Sequence, residues 1–142
     1  MKGLYLVARI ADQVVAIASD RPGNAVELKE ITPVPRAPRA VLGLAALRSW
    51  VVTVIDTPRA IGLARSSMAS NQAVMATVEG HDYALLVDAL HDAVALRPEL
   101  VDGGGDLPAA WRGVVRAAAM RAGERILVLD PAALLDAIVQ PA

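Results

Sequence analysis

The chain has no cysteine and no phenylalanine, and its aromatic residues are two tryptophans and two tyrosines. Without cysteine there can be no disulfide, no thiolate nucleophile and no cysteine-ligated zinc. With so few aromatics, single-stranded nucleic acid has little to stack on, so no nucleic-acid partner is expected. Long hydrophobic runs are missing too. The apolar stretches are interrupted at Arg9, Asp12, Arg48, Asp56, Asp88 and Asp130, short of the ~18 residues a spanning helix needs. The opening Met1-Lys2-Gly3-Leu4 shows no apolar signal region with a cleavage site. A cytoplasmic protein without membrane insertion is expected.

Apolar residues make up 55% of the 142 residues, enough for one domain with a core of Val, Leu, Ile and Ala. The net charge of −1 attracts no polyanion, but the charge is unevenly distributed. Residues 1–65 carry nine Lys/Arg against five Asp/Glu, and residues 66–142 carry five against ten. Such a split either orients protein partners or is the chance pattern of a solvated surface.

Short alternating segments dominate. Leu4, Leu6, Ala8 and Ile10 alternate with Tyr5, Val7 and Arg9, which predicts a half-buried strand. Ala11-Asp12 turns it into a partner over Gln13–Ala18. The breakers Asp20-Arg21-Pro22-Gly23-Asn24 leave room for about one helical turn around Ala25–Leu28. Residues 31–38, with three prolines, read as extended and unable to enter a central strand. Strands follow at Val41–Leu47 and Trp50–Ile55. Asp56 or Thr57 then caps a short turn with Pro58 at its start and Gly62 at its end. Arg65–Asn71 reads as a surface loop.

In the second half, hairpins are expected around Gly80-His81 and Arg121-Ala122-Gly123, with Asp88–Leu96 between them. Asp102–Asp106 reads as a flexible loop. Asp130-Pro131 opens a terminal helix with Leu134, Leu135 and Ile138 on one face. Asn24–Leu28 and Asp92–Leu96 echo each other, compatible with two similar half-barrels. Many short strands at regular spacing indicate a small β-barrel architecture.

Candidates for chemistry are sparse. His81 falls in a hairpin turn and His91 near Asp88 and Asp92, which permits a carboxylate–imidazole pair. A metal site needs three or four converging ligands, so surface histidines are the default. Gly103–Gly105 lacks the Lys-Ser/Thr ending of a phosphate-binding loop, and Ser19, Ser49, Ser66, Ser67 and Ser70 lack a nucleophile-elbow context. Asp88 and Asp130 end strands, where a carboxylate more often caps a turn or helix. Trp111 reads as core, and Trp50 as either core or an interface anchor. Arg48, alone between two apolar strands, is either a solvated turn residue or a partner contact.

Residues 31–38 (ITPVPRAP), then Val41-Leu42-Gly43-Leu44, Leu47-Arg48 and Val51-Val52-Thr53-Val54-Ile55-Asp56, resemble the signature of CheW-like domains, which usually reads close to ITPVPxAPxxVLGxxNLRGxVVPVIDL. Tyr83–Asp88 and Arg125–Asp130 followed by Leu134-Leu135 extend the resemblance in order, so that residues 1–142 form a single CheW-like domain. The resemblance implies a mostly β fold of two five-stranded SH3-like barrels side by side, with short helical turns and a C-terminal helix. It also implies a non-catalytic adaptor without cofactor or metal. Such an adaptor couples the cytoplasmic tip of a chemoreceptor to the regulatory domain of a CheA-type histidine kinase, as a monomer or with weak self-association.

Carried over by position, the family's motif arginine falls on Arg48, and its receptor- and kinase-facing segment on Ser19–Leu28, including Ser19, Pro22, Asn24 and Val26. The groove position falls on Ala89, beside the strand-end Val87-Asp88, and Trp50 is a candidate anchor. The chain departs from the pattern at Ala46-Leu47-Arg48-Ser49 (for Asn-Leu-Arg-Gly), at Thr53 (for Pro), and at Pro22-Gly23-Asn24, where a short helix is usual. Proline and glycine cost a helix roughly 3 and 1 kcal/mol, so that surface is expected to be reshaped. Two other readings stand beside the adaptor: a regulatory module that sequesters a partner or self-associates without a receptor, and a small-molecule or metal-dependent enzyme using His91 and Asp88.

Overall fold

The computed structural model describes residues 3–18, 24–47, 49–63, 71–101 and 107–139. Ser19, Pro22, Arg48, all of the loop expected at 65–71 except Asn71, and the glycine run at 103–105 lie outside the described residues.

Three two-residue hairpins whose turns lie wholly within the described residues organise the chain. The first joins β1 (Gly3–Ile10) to β2 (Gln13–Ala18), the second β6 (Gln72–Val78) to β7 (His81–Leu86), and the third β10 (Val115–Arg121) to β11 (Glu124–Leu129). Each turns through two residues of positive φ: Ala11-Asp12, Glu79-Gly80 and Ala122-Gly123. That geometry matches the right-handed twist of the strands. The remaining elements are β3 (Ala25–Glu27), β4 (Val41–Leu47), β5 (Trp50–Ile55), β8 (Ala89–Leu96), β9 (Glu99–Leu100), the short helix α1 (Thr57–Ala60), a single 3-10 turn at Ala109–Trp111, and the terminal helix α2 (Pro131–Val139).

The strands form two sheets, in the orders β8-β1-β2-β11-β10-β9 and β3-β6-β7-β5-β4. Both follow one plan. An edge strand pairs with a hairpin, the hairpin meets a second hairpin through one parallel pair, and a helix capped by aspartate follows. The parallel pair is β2 with β11 in one sheet and β5 with β7 in the other. Asp56 caps α1 by accepting the Arg59 N–H (3.4 Å), and Asp130 caps α2 by accepting the Ala132 N–H (3.1 Å). These are the expected half-barrels of five strands, with the two-residue β9 as a sixth in one. The echo of Asn24–Leu28 and Asp92–Leu96 falls on β3 and β8, the equivalent edge strands of the two units.

The units do not coincide with the halves of the sequence. One is continuous, from β3 to β7; the other runs from β8 to α2 and is completed by β1 and β2 from the N-terminus. Its parallel contact joins Val15 to Leu127 and Ala16 to Val128.

The central strands β1, β2, β7 and β11 carry consecutive buried residues and so are buried on both faces over part of their length, which produces apolar runs instead of simple alternation. On β1, Leu6, Ala8 and Ile10 belong to a large cluster shared by both sheets, while Val7 packs with Ala16 and Ile126 inside its own unit. On β7, Leu85 joins the shared cluster, and Ala84 and Leu86 fill the second unit's interior. Both private interiors contain alanines, Ala16 and Ala119 in one, Ala45, Ala73 and Ala84 in the other. These barrels are narrow, and they fold without phenylalanine. Trp111 is buried in the shared seam with Leu107 and Leu134, as expected of a core residue.

One local expectation fails. Residues 25–27 form an edge strand, not a helical turn, pairing Ala25, Val26 and Glu27 with Val74, Ala73 and Gln72. A single turn of helix closes too few hydrogen bonds to offset its nucleation. As a strand the segment half-buries Val26 against the unit's interior and fully buries Leu28. The Met75 N–H to Asn24 carbonyl bond (2.7 Å) and the Leu28 N–H to Asn71 carbonyl bond (2.8 Å) extend the ladder on either side. The proline-rich segment stays outside the sheets apart from one bridge, Thr32 to Leu44.

Candidate partner-binding surface

The described site candidates separate into two places. Trp50 opens β5 opposite Leu47 at the tip of the β4–β5 pair. Its side chain is 47% exposed and that of Val51 is 59% exposed. On the outward face Val51 stands opposite Ala46, and the exposed Leu44 opposite Thr53. Trp50 is therefore not core: it projects from the tip of the pair beside Leu47, on the face opposite to the uncovered apolar strip of Leu44, Ala46 and Val51.

The second place is the seam. Asn24 and Val26 lie on the β3 edge, and Ala89 begins β8 where the chain crosses from one sheet to the other. Gln72 connects the two. It pairs with Glu27 on β3, its backbone carbonyl accepts the Val87 N–H (3.1 Å), and its side-chain Oε1 accepts the Leu90 N–H (3.2 Å). By register, Trp50 is level with the turn after β6, whereas Val26 is level with Ala73 at that strand's other end. About 20 Å along the strands and roughly 14 Å across three of them separate the two places. Trp50 and Val26 cannot touch the same small feature of one partner.

Asp88 does cap a turn, though not one nearby in sequence. Its Oδ2 accepts the Ala11 N–H at 2.7 Å, and its own N–H donates to the Arg9 carbonyl at 2.8 Å. The carboxylate is thus committed to the β1–β2 turn. His91 is exposed on β8, and His81 is exposed with Nδ1 3.2 Å from the Glu79 carbonyl. Among the described residues no group of three or more His, Asp or Glu side chains could hold a metal ion. None of their helices is long and apolar enough to cross a membrane.

Two features went unread in the sequence. One is Gln72, a single polar residue at a strand start. The other is an apolar pair on β9 and β10, Leu100 at 89% and Met120 at 66% exposure. A two-residue edge strand carries no period to detect, so only its position beyond a Pro could have suggested it.

A CheW-like domain model matches residues 4–139. No curated protein matches the chain. Among solved structures, the scaffolding protein TtCheW from Thermoanaerobacter tengcongensis superposes with a TM-score of 0.78 at 19% identity, covering 92% of this chain and 90% of that one. At that identity the superposition speaks for the fold: two units joined along one apolar seam. The family model spans nearly all of both units, with the N-terminal hairpin that completes the second included, and so the chain belongs to the CheW-like domains, non-catalytic scaffolds of chemotaxis signalling.

Proposed function

We propose that this protein is a cytoplasmic adaptor that couples chemoreceptors to a CheA-type histidine kinase. The observation that carries the reading is the exposed Trp50 at the tip of the β4–β5 pair, with the strip of Leu44, Ala46 and Val51 uncovered on the sheet's outer face; Arg48 lies two residues from Trp50 in sequence. Tryptophan and arginine are among the residue types enriched at interface hot spots. Holding a receptor tip and a kinase regulatory domain on separate places of one small scaffold raises their effective concentration. The wide spacing between this tip and the seam suits two partners bound at once. The tip with its strip is the kinase-facing candidate, and the seam around Asn24, Val26 and Ala89 the receptor-facing one, with Ser19 and Pro22 adjoining it in sequence.

Calorimetric titration with the CheW-like regulatory domain of a CheA-type kinase tests the reading. Saturable binding that Arg48→Glu weakens without loss of the thermal transition supports it. A well-folded protein that binds no such domain sinks it.

A second reading, a regulatory module that self-associates without a receptor, is favoured by Leu100 and Met120 on the outer edge of the other sheet. Light scattering separates the two: a stable dimer dissolved by Leu100→Ser supports self-association, and a monomer at high concentration removes it.

A further inference from the structure

The crossover from β7 to β8 is the one described stretch at the proposed receptor site where side chains, and not only a ladder, hold the backbone from outside. Asp88 reaches back to the β1–β2 turn, its carboxylate on the Ala11 N–H at 2.7 Å and its amide on the Arg9 carbonyl at 2.8 Å. Two residues on, the Leu90 N–H is held by the Gln72 side chain at 3.2 Å, and one residue before Asp88 the Val87 N–H is held by the Gln72 carbonyl at 3.1 Å. Gln72 belongs to one sheet and Ala11 to the turn of the other. Ala89 therefore sits between two side-chain clamps, each anchored in a different unit. A methyl side chain reaches a partner only as far as its backbone is presented, so the position of this crossover decides what Ala89 can touch.

We infer that Asp88 and Gln72 are positioning residues for the receptor-facing groove: they fix the crossover so that Ala89 is displayed at a set height between the two units. The inference rests on the proposed receptor role of Ala89. The shared apolar seam already holds the sheets together. The clamps fix the backbone of residues 87–90, and their loss lowers stability without parting the two sheets.

The test compares Asp88→Ala, Asp88→Asn and Gln72→Met in the full chain. Each is titrated with a soluble receptor-tip fragment and, separately, with the kinase regulatory domain, and the amide NMR signals are recorded without partner. Asn keeps an acceptor for the Ala11 N–H; Ala and Met remove one. Loss of one such bond corresponds to about a tenfold change in affinity. The expected result is that Asp88→Ala and Gln72→Met weaken receptor binding by about that factor, that Asp88→Asn restores it, and that kinase binding is unchanged. The amide signals of Ala89 and Leu90 shift, and those of Val51 to Val54 do not. Equal loss for both partners, in step with a lowered thermal transition, overturns the inference in favour of a general structural role. Unchanged receptor affinity despite shifted Ala89 signals overturns it too. If the unaltered protein binds neither partner, the adaptor reading fails separately. The clamps are then judged by the amide signals alone, and unmoved Ala89 and Leu90 signals overturn them.

Discussion

The Asp88 carboxylate and the Ala11 amide, 77 residues apart in sequence, meet at 2.7 Å. Ala11 and Asp12 both hold left-handed backbone conformations (φ 49° and 67°), where the β6–β7 and β10–β11 turns place glycine second. A non-glycine residue there costs roughly 1 kcal/mol, and the bond from Asp88 offsets part of that cost by satisfying the turn's amide.

The first expectation concerns this turn. Asp12→Gly relieves one of the two strained positions and raises stability by about 0.5–1 kcal/mol. Asp88→Ala, which leaves the Ala11 N–H without its acceptor, lowers it by about 1–3 kcal/mol. Urea midpoints measured side by side decide both signs. An unchanged midpoint in Asp88→Ala would show that water replaces the carboxylate at no cost.

Gly43 and Gly80 should respond differently to the same substitution. A Cβ on Gly43 (φ 149°) would stand 2.1 Å from the Thr32 carbonyl oxygen and 2.9 Å from the Pro33 Cα. Gly80 (φ 80°) has open space around it. Gly43→Ala is expected to lose about 3 kcal/mol or more, because backbone must move. Gly80→Ala loses about 1 kcal/mol, from the backbone angle alone. Thermal denaturation of the two variants tests the contrast, and equal losses would contradict it.

Capping of the terminal helix gives a third test. Asp130 accepts the Ala132 and Ala133 N–H groups at 3.1 and 3.4 Å and pairs with the exposed Arg116 at 3.3 Å. Asp130→Ala should cost about 1 kcal/mol from the cap. Arg116→Ala should cost less than ~0.5 kcal/mol, because an exposed ion pair contributes little. A larger loss in the arginine variant would reverse that ranking.

The exposed tip and the core are separable by mutation. Trp50→Ala is expected to change stability by less than about 1 kcal/mol while weakening kinase-domain binding by about 2 kcal/mol or more. Leu134→Ala, at a fully buried position in the shared seam, should lose about 2–5 kcal/mol of stability. Calorimetry and denaturation on the same two samples decide the matter: a Trp50→Ala variant with full affinity removes Trp50 from the interface.

Much of the architecture was legible in the residues because its hairpins are local. Leu4–Ile10 alternates, Ala11-Asp12 turns, and Gln13–Ala18 returns, so the signal fits within sixteen residues. A cap before each proline-bearing first turn was likewise readable, at Asp130 and at Asp56 or Thr57, of which the structure selects Asp56. What was hidden is what distance or brevity conceals. A three-residue edge strand shows no period, so Ala25–Glu27 read as a helical turn. Asp88 read as a cap, but nothing near it indicates Ala11 as its partner. Trp50 stayed open because core and anchor ask for the same residue type, and only its exposure distinguishes them. Gln72 could not be singled out, since its partner Leu90 is fixed only when two sheets meet.

The interleaved plan of the units orders events as the chain is made. The unit from β3 to β7 has all its strands once residue 86 has emerged. The hairpin of β1 and β2, made before that unit, must wait for residues 124–129 before β2 gains its parallel neighbour. Until then an apolar strand edge stands open, and such an edge invites pairing with other chains. Long-range closure of this kind also slows folding. A hairpin made before either unit is complete is thus the last to be sealed, and β2 stays open to aggregation until β11 has emerged.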